Sequence, residues 1–372
     1  MTTGWLDRIE AGIPPADATA MAAASAHLDR LTKPPGSLGG LEAIAIRLAG
    51  IRGRLVTDIE RPVVIVFAAD HGIAARGVSA YPPEVTAQMV ANFVAGGAAI
   101  NVLARASGAQ LVVVDIGVAG TTDVEPIQNA ATVESGRVTV SRRATRLIRA
   151  SVAPGTRDFS VGPAMTREET VAAIEVGRRV VDEVIDASAD LIAIGEMGIG
   201  NTTAASAIVA ALTGRPAAEV TGRGTGVDDP GLVRKVNVIE IALALHRPDP
   251  ADPIGVLAAI GGFEIAGLVG AILAASVARI PIVLDGFITG AAALVAAGLA
   301  PNLPDRLIAA HRSVEPGHAI VLDRLGLAPI LQLDLRLGEG SGAALAIPII
   351  RAAARICGEM ATFEQAGVSG SG

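Results

Sequence analysis

Short apolar runs alternate with longer helix-period segments along most of the chain, and this alternation limits the possible folds more than any other feature. The runs are rich in aliphatic and β-branched residues, and they lie at 63–69, 111–116, 191–194 and 280–284. A continuous apolar run is typical of a strand buried on both faces. Strands that alternate with helices predict an α/β fold with a doubly wound, mostly parallel sheet flanked by helices. Ligands of such sheets bind outside the carboxyl ends of the strands.

The two ends of the chain lack the strand pattern. Residues 1–60 are helical in period and contain a Pro- and Gly-rich loop at 33–39. Residues 336–372 begin with a glycine loop and continue with a helical pattern. We therefore expect an α/β nucleotide-binding core over 61–335, and a smaller helical domain to which both terminal segments contribute.

Composition and charge exclude several classes of protein. Apolar residues make up 51% of the chain and charged residues 18%, which excludes a disordered chain, and the formal net charge of -7 argues against a nucleic-acid-binding surface. Glu264, Arg279 and Asp285 interrupt the most apolar stretch, 256–300, leaving no run of about 18 apolar residues that could span a membrane. The single cysteine, Cys357, and an amino terminus without a secretory pattern indicate a cytoplasmic protein.

The segment 195–203, Gly-Glu-Met-Gly-Ile-Gly-Asn-Thr-Thr, follows a buried run and opens a helix. Glycines let the backbone approach a ligand closely, and free N–H groups at a helix amino terminus favour an anion such as phosphate. The segment matches neither the P-loop nor the dinucleotide fingerprint. It is therefore either a phosphate-binding loop or a tight turn capped by Asn201 or Thr202.

A second glycine loop, 221–229, ends in Asp228 and Asp229 and precedes a helix that carries Lys235. One of the two aspartates is expected to cap this helix. Lys235 is one of only two lysines in the chain, the other being Lys33. Its ammonium group either reaches a phosphate or lies on a solvated helix face.

A third glycine loop, 336–342, carries Glu339 between two glycines. Apolar neighbours would raise the pKa of this carboxyl group and make it a usable general base near neutral pH. The alternative is that Glu339 caps the following helix.

The histidines show no metal-ligand spacing, and no nucleophile elbow is present, so we expect neither a metal site nor an acyl-enzyme nucleophile. His71 follows the first buried run, where it is either functional or a turn residue bonded to the backbone.

Together these motifs resemble the nicotinate-nucleotide–dimethylbenzimidazole phosphoribosyltransferases of cobalamin nucleotide-loop assembly. The resemblance extends from about residue 28 to Val368, in the order of the family's motifs. The matching segments are 31–39 (LTKPPGSLG), 69–72 (ADHG), 77–79 with 85–90 (GVS and VTAQMV), 195–203, 284–287 (LDGF), 313–318 (SVEPGH) and 336–340 (RLGEG).

The resemblance implies transfer of 5-phosphoribosyl from nicotinate mononucleotide to 5,6-dimethylbenzimidazole, with inversion and without a cofactor or a metal. It implies that Glu339 is the catalytic base and that Glu196 is a second functional carboxylate near the ribose. It also implies a homodimer with a parallel α/β domain and a small helical domain. The implied donor-phosphate residues are Gly198, Gly200, Asn201, Lys235 and Ser313, and the implied acceptor-base pocket contains Ser79, Tyr81 and Gln88.

Two other functions are compatible with the same pattern. One is a related phosphoribosyltransferase that uses another azole or a purine as acceptor. The other is a non-catalytic nucleotide-binding domain, because a fold does not fix a function. The presence of both Glu196 and Glu339 beside the phosphate loop argues against the second.

Overall fold

A parallel β-sheet forms the centre of the computed structural model, which describes residues 3–10, 13–120, 133–134, 137–138 and 145–369. Its strands run in the order β5-β2-β1-β6-β7-β8, and every neighbouring pair is parallel. A separate pair of two-residue strands, β3 and β4, is antiparallel. The strands are β1 (Pro62–Ala69), β2 (Gln110–Gly117), β3 (Val133–Glu134), β4 (Arg137–Val138), β5 (Arg146–Arg149), β6 (Leu191–Met197), β7 (Ile282–Leu284) and β8 (Leu307–Ala309).

Helices cover both faces of this sheet. They are α1 (Thr3–Glu10), α2 (Ala18–Asp29), α3 (Gly40–Arg52), α4 (Val85–Ala95), α5 (Ala99–Ala106), α6 (Arg167–Asp186), α7 (Asn201–Thr213), α8 (Ala217–Val220), α9 (Asp229–His246), α10 (Pro253–Ile260), α11 (Phe263–Val277), α12 (Phe287–Leu299), α13 (Pro316–Leu325), α14 (Ser341–Glu359) and α15 (Phe363–Ala366). Short 3₁₀ helices occupy Gly72–Arg76 and Leu303–Arg306.

Side chains of β1 alternate between two apolar layers, because successive residues of a strand point to opposite faces. Ile65 and Phe67 belong to a layer formed with α6, α7 and α10 to α12. Val64 and Val66 belong to a layer formed with α3, α4, α5 and α14. Burial on both faces explains the continuous apolar runs, and the doubly wound parallel fold expected from the sequence is confirmed.

Both terminal regions meet in one helical lobe beside the sheet. Leu28 and Leu31 pack with Cys357 of α14, and Leu31 forms an antiparallel bridge with Thr362. The N–H of Thr32 donates to the carbonyl of Ala361 at 3.0 Å. Because α14 also packs against the sheet, the domain limits at residues 60 and 335 remain a prediction.

The boundaries of several elements differ from the sequence pattern. The pattern predicts single helices over 82–105 and 256–276, but the structure ends α4 before Gly96 and α10 before Gly261 and starts a new helix after each. Gly96 has a φ of +78°. This left-handed conformation ends a helix, and glycine adopts it readily because it has no Cβ. The strand β8 was not predicted from the sequence, although residues 307–310 form an apolar run.

Two helical stretches, Val85–Ala106 and Ser341–Glu359, are long and apolar enough by length and composition to cross a membrane. Residues of both stretches pack in the apolar layer on one face of the sheet. A place in this layer accounts for their composition.

Candidate active site

A cavity lies at the carboxyl ends of β6, β7 and β8, where ligands of parallel sheets bind. Its walls come from segments that are far apart in sequence. The lining residues belong to 196–202, 224–225, 285–288, 311–315 and 336–338. A different cavity at the amino ends of β1, β2 and β5 is lined by residues that include Arg61, Arg105 and Arg146; no site residue expected from the sequence lines it.

The turn between β6 and α7 opens one wall of this cavity. A Cβ at Gly198 would lie 2.6 Å from the carbonyl oxygen of Ala69, and Gly200 has a φ of +97°, so both positions need glycine. Gly200 is the N-cap of α7, and as a glycine it has no side chain that could cap the helix. The capping role considered for Asn201 or Thr202 is therefore wrong, and the α7 amino terminus faces the cavity without a side-chain cap.

Glu196, the next-to-last residue of β6, lines the cavity and is buried. Its carboxylate accepts a hydrogen bond from the Nδ2 of Asn201. Burial raises the pKa of Glu196 well above its ordinary value, and the charges of Glu264 and Asp285 act in the same direction.

Glu339 lies on a loop with an unusual backbone. Gly338, Glu339 and Gly340 have φ values of +81°, +62° and +80°, a left-handed conformation that is uncommon for a non-glycine residue. The N–H of Glu339 donates to the carbonyl of Glu196 at 3.1 Å. A Cβ at Gly195 would lie 2.0 Å from the nitrogen of Gly340, so only glycine allows β6 and this loop to approach so closely.

The Glu339 side chain is 4% exposed, and within the described residues its Oε2 has no hydrogen-bond partner. Burial raises the pKa of Glu339 to about 7 and the charge of Asp285 adds to this, whereas the N–H of Ile100 acts in the opposite direction. Glu339 does not cap α14, whose N-cap is Gly340 without a side-chain hydrogen bond. The side chain is thus a buried carboxyl group that can exchange a proton near neutral pH.

Asp285, which follows β7, caps the amino end of α14. Its Oδ2 accepts the N–H of Gly340 at 3.2 Å and its Oδ1 accepts the N–H of Ala343 at 3.0 Å. The Nε2 of His311, after β8, lies 3.7 Å from Oδ1. Sequence analysis assigned no role to Asp285, although its position directly after a buried strand was a usable signal.

Lys235 is completely buried beneath the two glycine loops at 198–200 and 222–226. Its Nζ donates to the Oγ1 of Thr202 at 2.8 Å and to the carbonyl of Gly222 at 3.2 Å. Burial lowers the pKa of Lys235 to about 8, against the opposing charge of Glu315. The solvated helix face considered for Lys235 is therefore wrong, and the ammonium group lies behind the cavity wall.

Two further residues support the loop above Lys235. Glu315 lines the cavity and accepts the N–H of Gly224 at 2.9 Å. Asp228 caps α9 by accepting the N–H of Gly231 at 2.8 Å, which confirms the expected cap.

Ser313 lines the cavity, and its N–H donates to the Nδ1 of His318 at 2.9 Å.

The three residues expected around the acceptor do not line this cavity. The Oγ of Ser79 lies 3.5 Å from the Oγ1 of Thr225 on the cavity wall, and it accepts the N–H of Tyr81 at 3.2 Å. Tyr81 is 53% exposed and Gln88 is also exposed. Their role as an acceptor pocket remains a prediction.

Sequence reasoning missed a buried contact between a histidine and a carboxyl group beneath the cavity. The Nε2 of His71 lies 2.7 Å from the Oε1 of Glu264, and both side chains are inaccessible to solvent. A Cβ at Gly198 would lie 3.4 Å from the same nitrogen, so the pair supports the glycine turn. His71 thus bonds to a carboxyl group rather than to the backbone. The usable signal was Glu264, one of three charged residues in the most apolar stretch.

In the part of the chain that the structure describes, no three His, Cys, Asp or Glu side chains are arranged to hold a metal ion. The site consists instead of buried carboxyl groups, an uncapped helix amino terminus and one buried lysine.

Comparison with known proteins connects this site to one family. A family model described as phosphoribosyltransferase matches residues 13–368. The nicotinate-nucleotide–dimethylbenzimidazole phosphoribosyltransferase of Roseiflexus sp. (strain RS-1) is 56% identical over 360 residues, 97% of each chain. The enzyme of the same name from Chloroflexus aggregans (strain MD-66 / DSM 9485) is 57% identical over 357 residues, 96% of each chain. A crystal structure of the Thermus thermophilus protein of this name is 46% identical, has a TM-score of 0.85, and is matched over 95% of this chain and 100% of that one.

Proposed function

The chain belongs to the nicotinate-nucleotide–dimethylbenzimidazole phosphoribosyltransferase family, and from that premise we propose that Glu339 and Glu196 carry its reaction. The enzyme is a pentosyltransferase that transfers 5-phosphoribosyl from nicotinate mononucleotide to 5,6-dimethylbenzimidazole in cobalamin nucleotide-loop synthesis. Its products are α-ribazole 5′-phosphate and nicotinate. A β-linked donor and an α-linked product require inversion, and therefore direct attack on the anomeric carbon.

The observation that carries the proposal is the buried Glu339 carboxyl group, with an unpartnered oxygen and a pKa of about 7. The lone-pair nitrogen of the benzimidazole attacks the anomeric carbon, and the bond to the nicotinate nitrogen breaks. The other ring nitrogen gives its proton to Glu339, so the product does not keep a positive charge. A carboxyl group with a pKa near the working pH suits this role.

Glu196 acts on the sugar. Ribosyl transfer passes through an oxocarbenium-like state, and a nearby carboxylate stabilises the positive charge that develops there. Burial and, to a lesser degree, the neighbouring carboxyl groups raise the pKa of Glu196. A developing cation beside the side chain favours the ionised form, so the stabilisation increases toward the transition state.

The donor phosphate binds at the uncapped amino terminus of α7. Gly198, Gly200 and Asn201 provide the backbone there, and Ser313 lies on the opposite wall. Lys235 contributes its charge from beneath through its contact with Thr202. The acceptor enters beside the segment that carries Ser79, Tyr81 and Gln88. The enzyme works in the cytoplasm as a homodimer.

Substitution of Glu339 by Gln tests the base. Glutamine keeps the size of the side chain but is a far poorer base, so turnover should fall about 10²- to 10⁴-fold while both substrates bind nearly normally. The wild-type rate should fall below pH 7 as Glu339 gains a proton, and this acidic limb should disappear in the variant. Nicotinate release at saturating substrates is the measurement.

Glu240→Gln, an exposed carboxylate on α9, is the matched control and should keep wild-type turnover. If Glu339→Gln keeps most of that turnover, Glu339 is not the base, and Glu196 is the next carboxylate to test. If the wild-type protein releases no nicotinate in the presence of a benzimidazole, it is a binding domain rather than an enzyme.

A further inference from the structure

We propose that Asp285 is a positioning residue that holds the Glu339 loop in its left-handed conformation and so aims the catalytic carboxylate. This inference rests on the proposed role of Glu339. It concerns how the chain maintains the site rather than which groups touch the substrate.

The backbone of the Glu339 loop has a conformation that needs support from its surroundings. Three successive left-handed residues, Gly338 to Glu339 to Gly340, form a backbone that a non-glycine residue adopts only where the surroundings impose it. Close packing against Gly195 leaves no room for the loop to relax toward β6. Something must therefore hold the loop from the opposite side.

Asp285 is placed to do this. It is 2% exposed, and its two carboxylate oxygens accept one N–H from the last residue of the loop, Gly340 at 3.2 Å, and one from the first turn of α14, Ala343 at 3.0 Å. These are backbone donors at the start of α14, whose N-cap residue, Gly340, has no side chain to accept them. A buried carboxylate that accepts such N–H groups fixes them more strongly than a neutral side chain does.

The charge of Asp285 has a second effect on the same site. The titratable side chains around it are His311 after β8, Glu196 at the end of β6 and Glu339 itself. Its negative charge raises the pKa of Glu339, so the same side chain sets both the position and the proton affinity of the base. These two effects can be separated by substitution.

Asp285→Asn removes the charge and replaces one acceptor oxygen by an NH₂ group that faces a backbone donor. We expect kcat to fall about 10- to 100-fold, as for a small displacement of a reacting group, with the donor KM within about twofold of wild type. The acidic limb of kcat should move to lower pH. Asp285→Glu keeps the charge but misplaces it, so kcat should fall while the acidic limb stays near its wild-type pH.

The decisive measurement is the double variant with Glu339→Gln. If Asp285 acts through Glu339, Asp285→Asn should change the residual rate of Glu339→Gln less than about twofold. An equal loss in both backgrounds would overturn the proposal, because Asp285 would then act on the substrate directly. A large rise in donor KM at unchanged kcat would overturn it as well.

The control for lost helix capping is Asp252→Asn. Asp252 caps α10 by accepting the N–H of Gly255 at 3.0 Å and lines no part of the cavity, so its kcat and pH profile should be those of wild type. Circular dichroism verifies that each variant is folded. If Asp285→Asn does not fold, Asp285→Glu provides the test of the positioning role. If Glu339→Gln alone keeps its turnover, the proposed base fails and this inference with it. If the turnover of Glu339→Gln collapses and Asp285→Asn lowers the rate equally in both backgrounds, only the positioning role of Asp285 is rejected.

Discussion

At the scale of single residues, the site depends on side chains whose charge is costly to bury. Lys235 is completely buried, and desolvation lowers its pKa to about 8. Glu339 is nearly so, and its pKa is raised to about 7. Each group can therefore gain or lose its charge within a moderate range of pH, which is typical of functional residues.

Replacement of Lys235 by Met should weaken the binding of the donor more than it slows the chemical step. The ammonium group acts on the phosphate from behind the cavity wall, through its hydrogen bond to Thr202. A hydrogen bond to a charged group contributes about 1.5–3 kcal/mol, so the KM for nicotinate mononucleotide should rise about 10- to 100-fold with kcat within a few-fold. Ser313→Ala should have the same effect more mildly, because a neutral hydrogen bond is weaker.

The pH dependence of this KM provides an internal control. Above about pH 8 the wild-type ammonium group loses its proton, so the wild-type KM should rise with pH, whereas that of Lys235→Met should not. An unchanged KM together with a collapsed kcat would show that Lys235 acts in the chemical step instead.

At the scale of the elements, local patterns predicted most of the fold and part of the site. The apolar runs located β1, β2, β6 and β7, and the glycines located the three loops that surround the cavity. The partners of buried charges could not be predicted in this way. His71 pairs with Glu264, and Asp285 holds Gly340, across separations that only the three-dimensional packing brings together.

The crossing of α6 and α11 illustrates a packing constraint that a sequence hides. A Cβ at Gly270 would lie 1.8 Å from the carbonyl of Ile174, and one at Gly177 would lie 1.9 Å from the carbonyl of Gly267. The two helices therefore approach each other through glycines on both sides. Neither glycine lies in a turn or has a positive φ. Only the close contact between α6 and α11 explains why glycine is needed at these two positions.

Gly270→Ala should lower the free energy of unfolding by about 2 kcal/mol, because overpacking against backbone atoms forces the helices apart. Gly40→Ala on α3 is the matched control: its Cβ meets nothing within 4 Å, so the change should be below about 1 kcal/mol. Urea denaturation of both variants is the measurement. Equal stability of Gly270→Ala and the wild type would show that the helices can separate at no cost.

At the scale of the whole molecule, exposed apolar side chains occur in the segments beside the cavity. Val314, Leu333, Leu337 and Tyr81 are each about half exposed. A second copy of the chain would remove such side chains from water, which supports the proposed homodimer. Sedimentation equilibrium should give twice the 37.4 kDa mass of the chain. A single-chain mass at micromolar concentration would contradict the homodimer.

The helical lobe has a consequence for folding during synthesis on the ribosome. A ribosome releases the chain from its amino end at about 5–20 residues per second, so α2 and α3 emerge while most of the sheet has yet to be made. Their partner α14, and the Glu339 loop that precedes it, follow the last strand of the sheet. The apolar faces of α2 and α3 therefore remain without their partner helix until α14 has been synthesised. The Glu339 loop and the closed helical lobe therefore form together, after the strands of the sheet have been made.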